Sequence, residues 1–306
     1  MARGVALLLF LLLAMPAAAD EAAELLARMN HAVHALDYVG TLVYGERGRM
    51  ETLRVYHAGG QPERERLVSL TGEPREVVRQ DGRVTCIGLG GADPVTFPAA
   101  PGLPSLPQAA AAASSPHYAV SVAGSGRIAG RDAVEVAIQA RDAFRYSFRA
   151  WLDRDSGMLL KAVRFGADGA TVDQLMFTDI AIGQRPDEAD LQPSGAAQVL
   201  PSAPATTSLA PAQARWTVRD LPPGFSLVSV AAGPGEGEEH QVYSDGLASV
   251  SVYVEPAPAA DPLAPASNRG AISVFSRRQD GYRVVVIGDV PERTAQRIAH
   301  GVVARG

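Results

Sequence analysis

The chain has six histidines and one cysteine among the residues that could do chemistry. His31 and His34 lie three positions apart, so on a helix both imidazoles point to one face, where two of them could ligate a metal. We find no carboxylate or thiol at metal-ligand spacing on the same helix, so a solvated helix face is the simpler interpretation. The other histidines are scattered, and the sequence predicts no metal site. These are His57, His117, His240 and His300.

Two carboxylates and the cysteine have structural explanations. Asp153 and Asp155 stand in a short polar segment between two predicted strands, where Asp is favoured because its side chain bonds to backbone N–H groups of the turn. Cys86 lies in the β-like run Arg83–Ile87. A single cysteine cannot form an internal disulfide, and we expect an inert, half-buried thiol, although oxidative dimerisation stays open.

The sequence contains no complete phosphate-binding or nucleophile motif. The glycines of the segment 124–130 loosely match a dinucleotide loop, but the third glycine is one place late and no helix follows, so we expect a β-turn. The chain has no Gly-x-Ser-x-Gly elbow, P-loop or His-Glu-x-x-His. We therefore predict a protein that is not an enzyme, with no catalytic, metal or cofactor residues. A hydrolase assembled from distant positions is the least favoured alternative.

Charge and the N-terminus restrict the class of protein. With 33 acidic and 28 basic residues the net charge is −5, which provides no basic surface for nucleic acid. Arg3, an apolar run of about 11 residues and Ala17–Ala19 form a secretory signal pattern, too short to span a membrane. We predict a signal peptide over residues 1–19 and a periplasmic protein that does not span the membrane.

The elements that follow are mostly short strands. Apolar residues at spacings of three and four predict a helix over Ala22–Leu36. Runs rich in Val, Leu and Tyr, separated by Gly, Pro and Asp, predict antiparallel strands from Tyr38 to Ile182, interrupted by an irregular segment, 88–116, that looks unlike a strand and holds an alanine tract able to form one short helix. Strict alternation predicts one strand over Phe144–Leu152.

A shift to Pro, Ala, Ser and Thr predicts a linker over 186–214, between a domain at 20–185 and a smaller one at 215–306. The second domain reads as five strands followed by a helix over Pro291–Arg305.

Several segments, in order, resemble the MucB/RseB family. In the first domain these are Tyr38–Tyr44, Glu65–Leu70, Pro74–Val77, Tyr146 with Trp151–Asp153, Gly157–Lys161 and Gln174–Thr178. In the second they are Leu221–Phe225, Tyr243–Val252 and Ile287–Pro291. The resemblance covers both domains and departs most between Ile87 and Pro116.

The resemblance implies a mainly β (α+β) fold. The first domain would be a LolA/LolB-like curved antiparallel half-barrel sheet with helices, and the second a smaller antiparallel sheet with one terminal helix. It also implies a regulator that binds the periplasmic segment of a membrane anti-sigma factor (MucA/RseA-like), shields it from site-one proteolysis and is released by an acyl-chain lipid, either lipopolysaccharide or lipoprotein.

Candidate residues follow from that analogy. The lining of a lipid cavity is assigned to Leu42, Tyr44, Phe144, Tyr146 and Phe148, for which plain core packing is the simpler alternative. Contact with the protein partner is assigned to Phe225, Tyr243 and Tyr253. A lipid or lipoprotein carrier is the second function considered, and a homodimer stays open.

Overall fold

The computed structural model of the chain describes residues 15–46, 48–80, 82–88, 95–98, 109–194, 207–257 and 267–305. The N-terminal domain is one antiparallel sheet of eleven strands. The strands are β1 Tyr38–Glu46, β2 Arg49–Ala58, β3 Arg64–Ser69, β4 Glu76–Gln80, β5 Arg83–Ile87, β6 Val95–Pro98, β7 Tyr118–Ile128, β8 Arg131–Ala140, β9 Ser147–Asp153, β10 Leu159–Phe165 and β11 Thr171–Ile182. Their order is β6-β5-β4-β3-β2-β1-β11-β10-β9-β8-β7.

This sheet is strongly curved. Strands β7 and β11 are four positions apart in the sheet order, which in a flat sheet would separate them by about 19 Å. Cα atoms of the two strands nevertheless approach within 8 Å. The sheet therefore rolls around one face, the concave face, as a half-barrel does.

Two helices pack on the concave face. Helix α1, Met15–Ala35, buries Ala22, Leu26 and Met29 against the sheet, at the spacing of one helical face. Helix α2, Ala109–Ala113, buries two of its alanines beside α1. The predicted helix over Ala22–Leu36 thus has its counterpart in α1, and the alanine tract forms the short helix that the sequence suggested.

The C-terminal domain is a seven-stranded antiparallel sheet covered by one helix. Its sheet order is β12-β14-β15-β16-β19-β18-β17, and a separate pair joins β13 to β20. The elements are β12 Thr207–Ser208, β13 Trp216–Val218, β14 Ser226–Ala232, β15 Glu239–Ser244, β16 Ser249–Pro256, β17 Ser267–Arg269, β18 Ile272–Gln279, β19 Tyr282–Gly288, α3 Glu292–Gly301 and β20 Val302–Ala304. The predicted mainly β fold, with a large curved sheet and a smaller second sheet, is confirmed.

Two tight hairpins have two-residue turns with positive backbone φ. Ala129 and Gly130, between β7 and β8, both have positive φ (49° and 76°), and so do Asp280 and Gly281, between β18 and β19 (49° and 82°). Two consecutive positive-φ residues form a type I′ turn, whose twist matches that of the flanking strands. The predicted β-turn is therefore present only at the end of the segment 124–130, at Ala129 and Gly130, and residues 124–128 belong to strand β7.

Three further details differ from the sequence prediction. Strand β9 begins at Ser147, because Phe144 and Arg145 are drawn into contacts with the second domain. Within 88–116 the residues Val95–Pro98 form strand β6, which pairs with β5; residues 89–94 and 99–108 lie outside the described residues.

The predicted last helix also ends early, at Gly301. Val302 is buried, and it pairs with Val218 as part of strand β20. Tertiary pairing and the β-branched side chains at this position overrule the helical spacing.

The predicted linker is only partly described, since residues 195–206 lie outside the described residues. Its first part lies on the N-terminal sheet, because Arg64 donates to both oxygens of Glu188 (2.6 and 2.7 Å) and Arg66 donates to the Asp190 carbonyl (3.1 Å). Of the predicted signal peptide, residues 1–14 lie outside the described residues and 15–19 begin α1. No helix in the described part of the chain is long and apolar enough to cross a membrane.

Candidate functional site

An aromatic and aliphatic cluster fills the concave face beneath α1, and we call it the concave cluster. It brings together three of the five residues predicted to line a lipid cavity, namely Tyr44, Tyr146 and Phe148. Alternate residues of β9 point to one face, so Phe148 and Ala150 share it, and Tyr146 directly precedes the strand on the same side. The remaining described members include Val136, Ile138, Leu152, Ala162 and Leu175.

A buried arginine lies in the middle of these rings. The guanidinium carbon of Arg164, on β10, is 5.6 Å from the centre of the Tyr146 ring and 5.1 Å from that of Phe148. Only 9% of Arg164 is exposed, and its Nε and Nη1 atoms have no hydrogen-bond partner. Stacking on two rings offsets part of the cost of burying this charge.

The charge of Arg164 is balanced from the neighbouring strand. Asp173 Oδ1 lies 3.5 Å from Arg164 Nε, and the Tyr44 hydroxyl donates to Asp173 Oδ2 at 3.5 Å. Burial raises the pKa of Asp173, and Arg164 only partly offsets this. Burial, followed by the charge of Asp173, likewise raises the pKa of Tyr44. The concave cluster is therefore mostly apolar. It contains one buried ion pair, Arg164 with Asp173, whose nearest charged atoms are 3.5 Å apart.

The other two residues assigned to a lipid cavity lie elsewhere. Leu42 is fully buried in a second cluster, with Tyr38, Val55 and Phe177, and this cluster also contacts Tyr44. Phe144 contacts the C-terminal domain instead: its carbonyl accepts a hydrogen bond from the Thr294 hydroxyl (2.7 Å), and the Arg297 guanidinium stacks on its ring at 4.8 Å.

The C-terminal domain closes one end of the concave cluster. Ala271 is a buried member of the cluster and Leu247 packs against it, although both belong to the second domain. Gly270 approaches Glu46 so closely that an added Cβ would lie 2.9 Å from the Glu46 carboxyl carbon. The two domains therefore share one apolar core at this point.

A buried ionic contact, which we call the domain seam, joins the domains. Arg145 Nη1 donates to Asp245 Oδ2 (2.5 Å), and both side chains are fully buried. Asp245 also accepts from the Tyr118 hydroxyl (2.9 Å), and Arg145 donates to the Pro223 carbonyl (2.5 Å) and to Asp142 (3.0 Å). Sequence analysis gave these two residues no role, because they are 100 positions apart and the segments that contain them indicated only strand structure and family resemblance.

A second carboxyl group from the C-terminal domain, that of Asp289, lies near Arg164 and Asp245. Burial raises the pKa of Asp289 to about 6, while the Ser249 N–H (2.8 Å) and the charge of Arg164 act in the opposite direction. This carboxyl group therefore keeps its proton to a higher pH than an ordinary aspartate does.

The predicted partner contacts are divided between core and surface. Phe225 is buried at the seam, and the Arg145 guanidinium lies 5.3 Å from the centre of its ring. Tyr243 is also buried, and its hydroxyl donates a hydrogen bond to Gln241 Oε1 (2.5 Å). Tyr253 is 39% exposed on the face of the sheet opposite α3, stacked on His240 at 4.3 Å. Ile287, at 37% exposed, lies on the next strand of that face.

Asp153 and Cys86, the other residues considered for chemistry, have contacts that explain them structurally. Asp153 accepts from Arg131 (2.7 Å) and from the Ser156 backbone (2.9 Å), as predicted for a turn carboxylate. Burial acts to raise the pKa of Asp153, but these bonds outweigh it and lower the pKa. Burial raises the pKa of the half-buried Cys86 thiol, which disfavours the reactive thiolate form. Among the described residues, no group of three or more His, Cys, Asp or Glu side chains could hold a metal ion.

The fold and the seam define a two-domain, mainly β protein in which a small domain packs against one end of the concave cluster of a large curved sheet. The family comparison identifies it: the MucB/RseB N-terminal domain matches residues 21–195 and the MucB/RseB C-terminal domain matches residues 210–303. The chain therefore belongs to the MucB/RseB family.

Relatives and solved structures agree over almost the whole chain. The chain is 35% identical to the sigma factor AlgU regulatory protein MucB of Pseudomonas aeruginosa, covering 96% of this chain and 94% of the relative. It is 30% identical to the sigma-E factor regulatory protein RseB of Escherichia coli K12, covering 91% and 89%. A crystal structure of MucB in complex with MucA(peri) superposes with a TM-score of 0.72 at 31% identity, covering 93% of this chain and 99% of that one.

Proposed function

We propose that this protein binds the periplasmic segment of a membrane anti-sigma factor, shields that segment from site-one proteolysis and releases it when a lipid binds. The observation that carries the proposal is family membership over both domains, with a relative, MucB, solved in complex with MucA(peri). Regulation of this kind acts through binding equilibria and requires no catalytic group.

The outer face of the C-terminal sheet is the proposed contact surface for the partner. Val250, Val252 and Val254 of β16 point into the core under α3, so the intervening Ser251 and Tyr253 point away from it. An exposed tyrosine stacked on a histidine, with exposed Ile287 nearby, is the kind of aromatic and aliphatic anchor that dominates binding energy at protein interfaces.

Binding to the MucA periplasmic segment tests the first part. We expect a dissociation constant below micromolar by calorimetry, protection of the segment from the site-one protease, and about tenfold or greater weakening in Tyr253→Asp. Val228→Asp, at a 64% exposed position on a different strand, is the matched control and should bind normally. No binding at micromolar concentration would exclude the proposal.

The concave cluster is the proposed lipid site, because its rings and aliphatic side chains form an apolar surface on a curved sheet beside one buried cation. Lipopolysaccharide or a triacylated lipopeptide should displace the labelled partner segment, whereas phosphatidylcholine vesicles should not. Retention of the partner at saturating amounts of both lipids would overturn the lipid part alone.

A lipid or lipoprotein carrier is the second candidate, supported by the same concave cluster. Tyr253→Asp separates the two functions, since a carrier should keep both acyl-chain binding and delivery with this variant, whereas the regulator should lose control of the anti-sigma factor.

A further inference from the structure

The innermost side chains of the concave cluster are completely covered by protein. Val136, Ile138, Ala150 and Leu152 all line the cluster, and each of them is 0% exposed. A ligand site needs walls that the ligand can touch. An acyl chain can therefore reach these walls only if one of the segments that cover them moves away.

Helix α1 is the larger cover, and it is fastened to the sheet at its middle and at its end. Arg28 donates to the carbonyl oxygens of Arg154 (3.4 Å) and Asp155 (3.2 Å), in the turn between β9 and β10. The end of the helix packs so closely that a Cβ at Gly59 would lie 2.3 Å from the Ala35 carbonyl oxygen. Because the helix also buries three side chains in the cluster, its removal would expose a large apolar surface.

The cover from the C-terminal domain is much smaller. It consists of two hairpin turns, residues 245–248 between β15 and β16 and residues 270–271 between β17 and β18, which together we call the plug. The plug adds only Ala271 and the partly buried Leu247 to the cluster. An acyl chain of about ten carbons buries more apolar surface than these two side chains do, so its exchange for the plug is favourable.

Polar contacts hold the plug in place, and water can replace them. Asp245 accepts hydrogen bonds from Tyr118 and Arg145 of the N-terminal domain through Oδ2. Its Oδ1 atom accepts from the N–H groups of Leu247 and Ala248, and these bonds keep the shape of the turn when it separates from the N-terminal domain. A buried ion pair contributes little net stability against its separated, hydrated partners. The plug can therefore withdraw as a unit.

We propose that the plug and an acyl chain compete for the concave cluster, which rests on the proposed function because it takes this cluster as the lipid site. The same hairpin connects the plug to the proposed partner surface: its tip is the first turn of the plug, and its strands carry His240 and Tyr253. The partner binds the form with the plug in place. Lipid binding releases the partner because a ligand shifts the population toward the form that it binds better.

A disulfide that locks the plug in place tests this competition. A Cβ at Gly246 would lie 3.5 Å from the Cβ atom of Ala111 on α2, a separation that suits two bonded cysteines. Gly246→Cys and Ala111→Cys are introduced with Cys86→Ala, which removes the only native thiol. Gly246 has a φ of 95°, where a side chain is strained, so the oxidised and the dithiothreitol-reduced forms of this one variant are compared.

Binding of a dansyl-labelled triacylated lipopeptide to the full chain is measured by fluorescence. We expect the oxidised form to bind at least about tenfold more weakly than the reduced form, because a chain that cannot open has no binding-competent population. The oxidised form should also keep the MucA periplasmic segment when lipopeptide is added. Equal affinities of the two forms would overturn the plug and leave the lipid site standing. If the unmodified chain binds no lipopeptide, the lipid site fails and the plug with it.

Leu247→Ala weakens the plug without a cross-link. We expect the lipopeptide to bind about five- to tenfold more tightly, because the shorter side chain competes less for the cluster and more molecules are open. If Leu247 were only a wall of the lipid site, its truncation would weaken binding instead. Leu70→Ala, at a position that is 54% exposed, is the matched control and should leave the affinity unchanged. Unchanged or weaker lipopeptide binding by Leu247→Ala would overturn the proposal.

Discussion

Arg145 and Asp245 form an ion pair between the two domains in which neither side chain is exposed to solvent. Each group is also fully hydrogen-bonded, because Asp245 Oδ1 accepts from the N–H groups of Leu247 and Ala248 (2.9 and 2.8 Å) while Oδ2 binds Tyr118 and Arg145. Buried charges are tolerated when they are compensated in this way, and removal of one partner leaves the other unpaired.

Replacement of Arg145 should therefore loosen the domains. We expect Arg145→Met to lower the free energy of unfolding by about 3–5 kcal/mol, because it leaves Asp245 buried without a counter-charge. Urea unfolding measures the loss. Arg149→Met is the control, since Arg149 is 55% exposed and its pair with Glu135 should contribute less than about 1 kcal/mol. Equal losses in the two variants would contradict the assigned role of the seam.

Asp289 should make stability depend on pH. Its pKa is about 6 in the folded protein against an ordinary value of 3.8, so between pH 4 and pH 6 the folded state binds more protons than the unfolded state. The contribution of Asp289 to stability is thus largest below pH 4 and falls by up to about 3 kcal/mol as the pH rises to 6.

The variant Asp289→Asn isolates this effect. Its stability relative to the unmodified chain should rise from pH 4 to pH 6 and level off above that, as measured by urea unfolding at each pH. The exposed Asp155, replaced by Asn, serves as the control and should show no such trend. A flat difference for Asp289→Asn would show that the raised pKa is wrong.

We expect that Arg164 and Asp173, the buried ion pair of the concave cluster, can be replaced together at a smaller cost in stability than Arg164 alone. Arg164→Met leaves the buried Asp173 without its counter-charge, and we expect a loss of about 3 kcal/mol. The double variant Arg164→Met with Asp173→Asn should recover most of that loss in chemical unfolding. Strictly additive losses would indicate that the two side chains do not interact.

We expect close packing to require a glycine at position 40 of β1. A Cβ at Gly40 would lie 2.8 Å from the Asp179 carbonyl oxygen and 2.9 Å from the Phe177 ring, so Gly40→Ala should cost about 1–3 kcal/mol. A Cβ at Gly45 on the same strand would lie 3.3 Å from the flexible Gln174 side chain and, in ordinary contact, 3.9 Å from the Arg49 carbonyl oxygen. Gly45→Ala should change the thermal midpoint little, and a similar shift in both would refute the close-packing argument.

The sequence predicted the elements well where local pattern decides them. Apolar runs between turn residues predicted antiparallel strands up to Ile182, where β11 ends, and helical spacing placed Leu26 and Met29 on the buried face of α1. The order of segments across both domains was enough to indicate the family. Of the five residues proposed for a lipid cavity, the structure brings together Tyr44, Tyr146 and Phe148.

Only the tertiary structure decided which distant groups meet. Arg145 and Asp245 are 100 positions apart, and the local pattern does not mark their contact because it depends on how the two domains dock. The same holds for Val302, where pairing with Val218 ends a helix that the sequence would have continued. Local periodicity determines the elements of this protein, whereas the burial of charge between them determines its domain seam.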